Sequence, residues 1–307
     1  MDIVRFKMLR SEPLTSGNLD EVIEFFHRSN PFAEKTWGWD SGRFIDWRWG
    51  SNTLREAASP GWFSENCRVV RQDGVIRAVL IAEYGHEDVC VITGGEDPEA
   101  VRVVLDWLDG SRVGTGIGIS FEFSDTAEWL RDVFGAAGLR ERAGTGHEWE
   151  YDLSRLPYSL ELAEGFTIES LRDDRSEDYA GIAECVRAAF NATHDVQASL
   201  RSLEVNPMFR PDLSVFARSP DGRIAAYCRG TVNPNNGVCG IDPVCCHPDY
   251  QRMGLSKAVV QSCFRRQLAL AGRFCYIGSA PEPDPSTFLY RSLGPTARTV
   301  NCTWTRP

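Results

Sequence analysis

Residues 240–260 read GIDPVCCHPDYQRMGLSKAVV. A β-rich run ends in two cysteines, turns a corner at His247–Pro248, crosses a polar loop and enters an apolar run of helical spacing just after Gly254. A helix entered this way presents backbone N–H groups that have no intrahelical acceptor, together with a partial positive charge. A glycine at its mouth lets the backbone approach an oxygen-rich ligand closely. The loop therefore reads as a bed for a diphosphate, with Arg252 adding a charged contact. On this reading Cys245 and Cys246 complete a strand, and His247 lies in the turn as a solvated loop histidine.

Strands and helices can be assigned outward from this point. Residues 165–171 alternate like a strand. Two helical stretches follow, RSEDYAGIAECVRAAFN and DVQASLRSLEVNP. SPDG and NPNNG are turn signals that divide residues 213–246 into a three-strand meander. After the helix at 254–271 come a strand (RFCYIGS), a short helix (PSTFLYRSLG) and a closing strand (TARTVNCTWTRP). The first half runs in the same order. A helix with Asn18 as its cap precedes GRFIDWRWGSN, three strands, a helix starting near Pro98, a strand, a helix and a closing strand, GHEWEYDL. The expectation is an α/β chain of two similar units, 1–154 and 165–307, joined by a linker at 155–164. Each has a mixed, mostly antiparallel sheet flanked by helices.

The totals agree with a folded two-unit chain. There are 307 residues, 42% hydrophobic and 25% charged, with a formal net charge of −10. A chain of this length exceeds one ordinary domain. The acidic balance argues against a nucleic-acid binder, which needs a basic surface. No apolar run has bilayer length and the first residues lack a signal-peptide core, so a cytoplasmic protein is expected. The ten cysteines show no CxxC pair and no zinc spacing, and read as buried, reduced thiols. GTGIG at 114–118 precedes a strand instead of opening a helix, so it reads as a loop. The tryptophans of residues 35–50 read as packing residues, with lining of the acceptor cleft as the alternative.

The 240–260 stretch resembles the acetyl-coenzyme A motif of the GNAT (GCN5-related) N-acetyltransferase superfamily, Gln/Arg-x-x-Gly-x-Gly/Ala after a strand that ends in x-Pro. Gln251, Gly254 and Ser256 fill its marked positions, with Ser256 in place of Gly or Ala. The resemblance extends over about residues 165–304. It implies that acetyl-CoA is held by Val244, Cys245, Cys246, Gln251, Arg252, Met253, Gly254, Leu255, Ser256 and Lys257, with backbone N–H around 244–246 polarising the acetyl carbonyl. It implies that Tyr290, in STFLYRSLG, hydrogen-bonds the sulfur and protonates the leaving thiolate. The family often places a glutamate where this chain has Gly240. Asp242, two residues on and so on the same side of a regular strand, is the candidate to collect the amine proton or anchor an ammonium.

The implied activity is transfer of acetyl from acetyl-CoA to a primary amine of a small molecule by direct attack. The alternative is a non-catalytic acyl-CoA sensor or scaffold, which Gly240 and Ser256 favour. In the first half the corresponding stretch is VITGGEDPEAVRVVL, where carboxylates crowd the helix start, so that unit reads as a degenerate copy without a cofactor loop. A tandem arrangement of this kind is similar to the two-domain acetyltransferases to which mycothiol synthase belongs. A monomer or homodimer is expected, with no nucleic-acid or membrane partner.

Overall fold

The computed structural model describes residues 8–30, 39–83, 88–112, 119–156, 161–172 and 176–306. The GTGIG stretch and the first tryptophan of the aromatic run lie outside the described residues. Trp39 and Trp47 of that run are buried.

In chain order the first half forms β1 (Arg10–Pro13), α1 (Leu19–Arg28), α2 (Ser41–Trp49), α3 (Ser51–Ala58), α4 (Trp62–Asn66), β2 (Arg68–Gln72), β3 (Val75–Ala82), β4 (Asp88–Thr93), α5 (Pro98–Arg112), β5 (Ile119–Ser124), α6 (Glu128–Ala136) and β6 (Arg140–Asp152). The second half forms β7 (Thr167–Ser170), α7 (Ser176–Phe190), α8 (Val196–Ser202), β8 (Ser214–Arg218), β9 (Ile224–Val232), β10 (Val238–Cys246), α9 (Leu255–Ala269), β11 (Phe274–Ser279), α10 (Pro285–Ser292) and β12 (Ala297–Arg306). Asn18 stands at the start of α1, but its side chain does not cap the helix. Its Oδ1 accepts from the Thr15 N–H at 2.9 Å and its Nδ2 donates to the Pro13 carbonyl at 2.9 Å.

Two compact units result, and the chain passes between them more than once. Unit 1 comprises residues 1–40, 56–147 and 299–307; unit 2 comprises 41–55 and 148–298. A single cut in the 155–164 linker therefore differs from the observed division in two ways. β12 joins unit 1 from Thr299 onward while β6 passes from unit 1 into unit 2 at Glu148, and α2 with most of α3 joins the second unit. The aromatic residues on the two strands explain this placement. On β12, Trp304 packs on Phe134 of unit 1, ring centroids 6.1 Å apart. On β6, Tyr151 packs on Phe264 of unit 2 at 5.0 Å.

In unit 1 the strands run β1-β2-β3-β4-β5-β12-β6, the last through its residues up to His147. Asp97 occupies the start of α5. Its Oδ1 accepts from the Ala100 N–H at 3.1 Å and its Oδ2 lies 2.7 Å from Arg77 Nη2. A buried carboxylate thus accepts from one of the amides at that helix N-terminus.

In unit 2 the order is β6-β11-β10-β9-β8-β7, with β6 entering from Glu148 onward. One face of the sheet is covered by α9 and α10, where Val259, Val260, Phe264 and Tyr290 pack on Cys228, Cys239, Ile277 and Tyr151. The other face carries α7, with Ile182, Ala183 and Cys185 on Phe216, Tyr227 and Cys245. Each large apolar side chain buried this way contributes about 1.5–3 kcal/mol. α9 lies close on β9. A Cβ at Gly230 would meet Cys263 Sγ at 2.5 Å and Gln267 Nε2 at 2.8 Å, so only glycine fits there. All ten cysteines are free, nine of them buried.

Candidate functional site

The site is built where β10 parts from β11. These neighbours are parallel and pair only through Val238, Cys239 and Gly240, opposite Phe274, Cys275 and Tyr276. Beyond Gly240 the β11 side of β10 is open, while β9 continues to pair on the other side. The His247 N–H donates to the Ala225 carbonyl on β9 at 2.9 Å. Alternation along a strand then turns the Val244 and Cys246 amides toward the open side.

The β9–β10 register slips between Ile241 and Val244, so that Asp242 and Pro243 together oppose Arg229. This is a bulge, and it interrupts the strict alternation of β10 between Ile241 and Val244. Asp242 is exposed there. The backbone of Gly240 is held from behind, its carbonyl accepting from Gln267 Nε2 at 2.9 Å.

The loop that follows is clamped from below. His247 is 9% exposed, so it is not a solvated loop histidine. Its Nδ1 accepts from the Asp249 N–H at 3.2 Å and its Nε2 lies 3.2 Å from Arg223 Nη2. Arg223 also pairs with Asp249 at 3.2 Å and Glu184 at 3.4 Å, and Tyr250 stacks edge-on to Phe166. Buried packing and these polar contacts together explain why the histidine is enclosed.

Above the clamp, Gln251, Arg252, Met253 and Gly254 are exposed. Arg252 at φ 65° and Gly254 at φ 78° are both left-handed, and no side chain caps α9. A Cβ built at Gly254 meets nothing within 4 Å, so the space over the helix mouth is open. The first-turn amides of α9 consequently face a clear approach, the geometry that binds anions at helix N-termini. Leu255 is buried and can offer a ligand only its backbone, while Lys257 is half-buried. Cys245 faces α7, its Sγ 3.8 Å from that of Cys185, so it too has only backbone to offer. The Ser256 hydroxyl hydrogen-bonds Cys246, whose thiol is pushed up to about 11 by burial. That thiol is neutral at ordinary pH and unsuited to nucleophilic attack.

Tyr290 projects from α10 into the core beneath the splayed strands and is 6% exposed. Its carbonyl accepts from the Tyr151 hydroxyl at 2.8 Å, which fixes this part of α10. Burial raises the Tyr290 pKa, and the negative charge of Asp242 raises it further. The two candidate catalytic residues are thus brought within electrostatic reach of each other.

Three further charged residues belong to this place and to no motif. Arg229 is half-buried in β9, and its Nη2 lies 2.9 Å from Asp46 Oδ2 on α2. Burial opposes its charge, yet its pKa lies above the ordinary arginine value because Asp46, Tyr227 and Asp242 hold the charge in place. Glu148, on β6, adds a negative charge felt by Tyr290. One sequence signal was present: an arginine in the otherwise apolar run IAAYCRG needs a buried partner.

These features (a parted parallel strand pair, an uncapped helix entered through glycine, and a buried tyrosine below) occur together in unit 2. Residues 168–294, within unit 2, match the model of the acetyltransferase (GNAT) family. The fold match extends to nearly the whole chain. A GCN5-related N-acetyltransferase from Sphaerobacter thermophilus superposes with a TM-score of 0.64 at 14% identity, covering 97% of this chain and 95% of that one. A tandem GNAT protein from the clavulanic acid biosynthesis pathway gives 0.64 at 14% identity, covering 97% and 98%. A GCN5-related N-acetyltransferase from Kribbella flavida gives 0.52 at 17% identity, covering 79% and 87%. Both units are therefore GNAT-like in fold. No curated protein matches the sequence.

Proposed function

We propose that unit 2 transfers an acetyl group from acetyl-CoA to a primary amine of a small molecule. The observation that carries this reading is the open, uncapped mouth of α9 at Gly254, set beside the parted β10 and β11. The pyrophosphate lies on the amides from Arg252 to Lys257, with Gln251, Arg252 and Met253 as its exposed surround. The thioester carbonyl lies against the amides of Val244 and Cys246, which stabilise the oxyanion as the amine attacks. The C–N bond forms, the C–S bond breaks, and the sulfur leaves as a thiolate. Asp242 receives the ammonium proton directly or through water, and the Tyr290 hydroxyl hydrogen-bonds the thiolate and delivers its proton. No covalent enzyme intermediate is needed, in keeping with the high pKa of Cys246. Unit 1 has a carboxylate, Asp97, at the matching helix start, which supports a unit without a pyrophosphate site. An acidic chain favours cationic acceptors.

The test is thiol release from acetyl-CoA with n-butylamine, 1,4-diaminobutane, tyramine and lysine, alongside calorimetry of CoA binding. Amine-dependent release is expected. Tight CoA binding with no release for any amine favours the sensor reading, which Gly240 and the Ser256–Cys246 contact support. Absence of CoA binding removes both readings.

A further inference from the structure

α2 comes from the first half of the sequence yet belongs to unit 2, where it packs on β10. It brings one carboxylate, Asp46, to the bulged part of the β9–β10 pair. Both of its oxygens are engaged. Oδ2 accepts from Arg229 Nη2 at 2.9 Å, and Oδ1 accepts from Asn206 Nδ2 at 3.2 Å. Asn206 is itself fixed, its Oδ1 accepting from the Met208 N–H at 2.7 Å. Arg229 stands opposite Asp242 and Pro243 in the register. Its Nε is buried and has no hydrogen-bond partner among the described residues, so the guanidinium has donor capacity left over. An ion pair largely withdrawn from water adds little to stability compared with apolar residues of the same size, so packing alone does not account for this one. A guanidinium largely withdrawn from water and deprived of its partner, in contrast, must find another. Asp242 is the other carboxylate beside it, and it is exposed and open to a ligand.

We propose that Asp46 is a positioning residue for the acceptor: by holding Arg229 it keeps the guanidinium off Asp242 and leaves that carboxylate open to the incoming ammonium. The inference rests on the reading of Asp242 given above. It makes α2 a wall of the acceptor site in unit 2.

The test has two arms on the full chain. In a crystal structure of Asp46→Asn, the guanidinium of Arg229 is expected to turn to Asp242, within about 3 Å of its carboxylate. A guanidinium left in its original place overturns the proposal whether or not the chain is an enzyme. The second arm is a double-mutant cycle, run with whichever of the four amines turns over fastest. Asp46→Asn should raise the amine KM at least tenfold with a smaller change in kcat and an unchanged CoA affinity. Asp46→Glu should recover part of the loss. In an Asp242→Asn background the Asp46→Asn effect should shrink to less than twofold. Equal effects in both backgrounds, or loss of CoA affinity in step with amine affinity, mean a merely structural role and sink the idea. Where no amine turns over, the proposed function fails separately and the crystallographic arm decides.

Discussion

Tyr290 and Cys246 are the two titrating groups that bracket the proposed thioester, and their environments assign them different work. A free thiol has a pKa near ~8.5, and a buried tyrosine beside Asp242 is a weaker acid than an ordinary phenol. Tyr290 therefore stays protonated through the physiological range and is available as a donor to the departing sulfur. Replacing it with phenylalanine keeps the packing and removes only the hydroxyl. Tyr290→Phe should lower kcat by about 10²- to 10³-fold and leave the CoA dissociation constant within about twofold; an unaltered rate would show that the acid lies elsewhere. For Cys246 the expectation concerns reactivity. The thiolate is the reacting form, and the pKa is about 11 against an ordinary 9.0. Iodoacetamide labelling of Cys246, followed by peptide mass spectrometry, should rise about tenfold per pH unit from about pH 8 to about pH 10 without levelling off, as the raised pKa requires. A plateau near pH 9 would mean that the thiol is not buried as described.

At the scale of elements, the loop into α9 is the part on which the cofactor reading depends. Gly254 is left-handed, and a non-glycine residue pays about 1–2 kcal/mol for that conformation. Its Cβ position is otherwise open, so a larger side chain points into the space above the amides and does not disturb the core. Gly254→Glu should therefore fold, with a Tm a few degrees lower, and bind CoA at least about 100-fold more weakly, since it adds both bulk and like charge. Calorimetry showing retained affinity would place the carrier elsewhere. This loop was legible in the sequence because its signals are local: a polar corner, a glycine and a helical apolar run. The meander β8–β10, the paired helices α7 and α8 and the late helix α10 were legible for the same reason. What was hidden depends on long-range pairing. Local alternation cannot report the bulge at Asp242–Pro243. The solvated reading of His247 failed because the arginine that encloses it comes from 24 residues earlier in the chain. Asp46 and Arg229 lie 183 residues apart and form one ion pair. The placement of β12 in unit 1 and the division of β6 at Glu148 are equally silent, since both strands carry inward aromatics.

At the scale of the whole molecule, the buried tyrosines set how the chain responds to alkali. Tyr151, Tyr227, Tyr276 and Tyr290 all belong to unit 2, and burial raises the pKa of each above the ordinary 10.0. A group whose folded pKa exceeds its unfolded one binds its proton more tightly in the native state. Its stabilising contribution is therefore complete below about pH 10 and is lost as the pH climbs beyond it. Each such tyrosine removes about 1.4 kcal/mol of stability per pH unit in that range. Several acting together exceed the 5–15 kcal/mol margin of an ordinary domain within about two or three units. Unit 2 should hold its helical circular dichroism signal up to pH 10 and then unfold cooperatively, with tyrosinate absorbance near 295 nm appearing in the same transition. Tyr276 serves as an internal check. Its hydroxyl donates to Glu150 Oε2 at 3.0 Å, so Tyr276→Phe loses that hydrogen bond but also removes one ionising group. The variant should be less stable at pH 8 and show a shallower decline above pH 10. If absorbance rises to completion while the dichroism is unchanged, these hydroxyls ionise in the folded state. The packing described beneath the splayed strands would then be looser than the burial of Tyr290 requires.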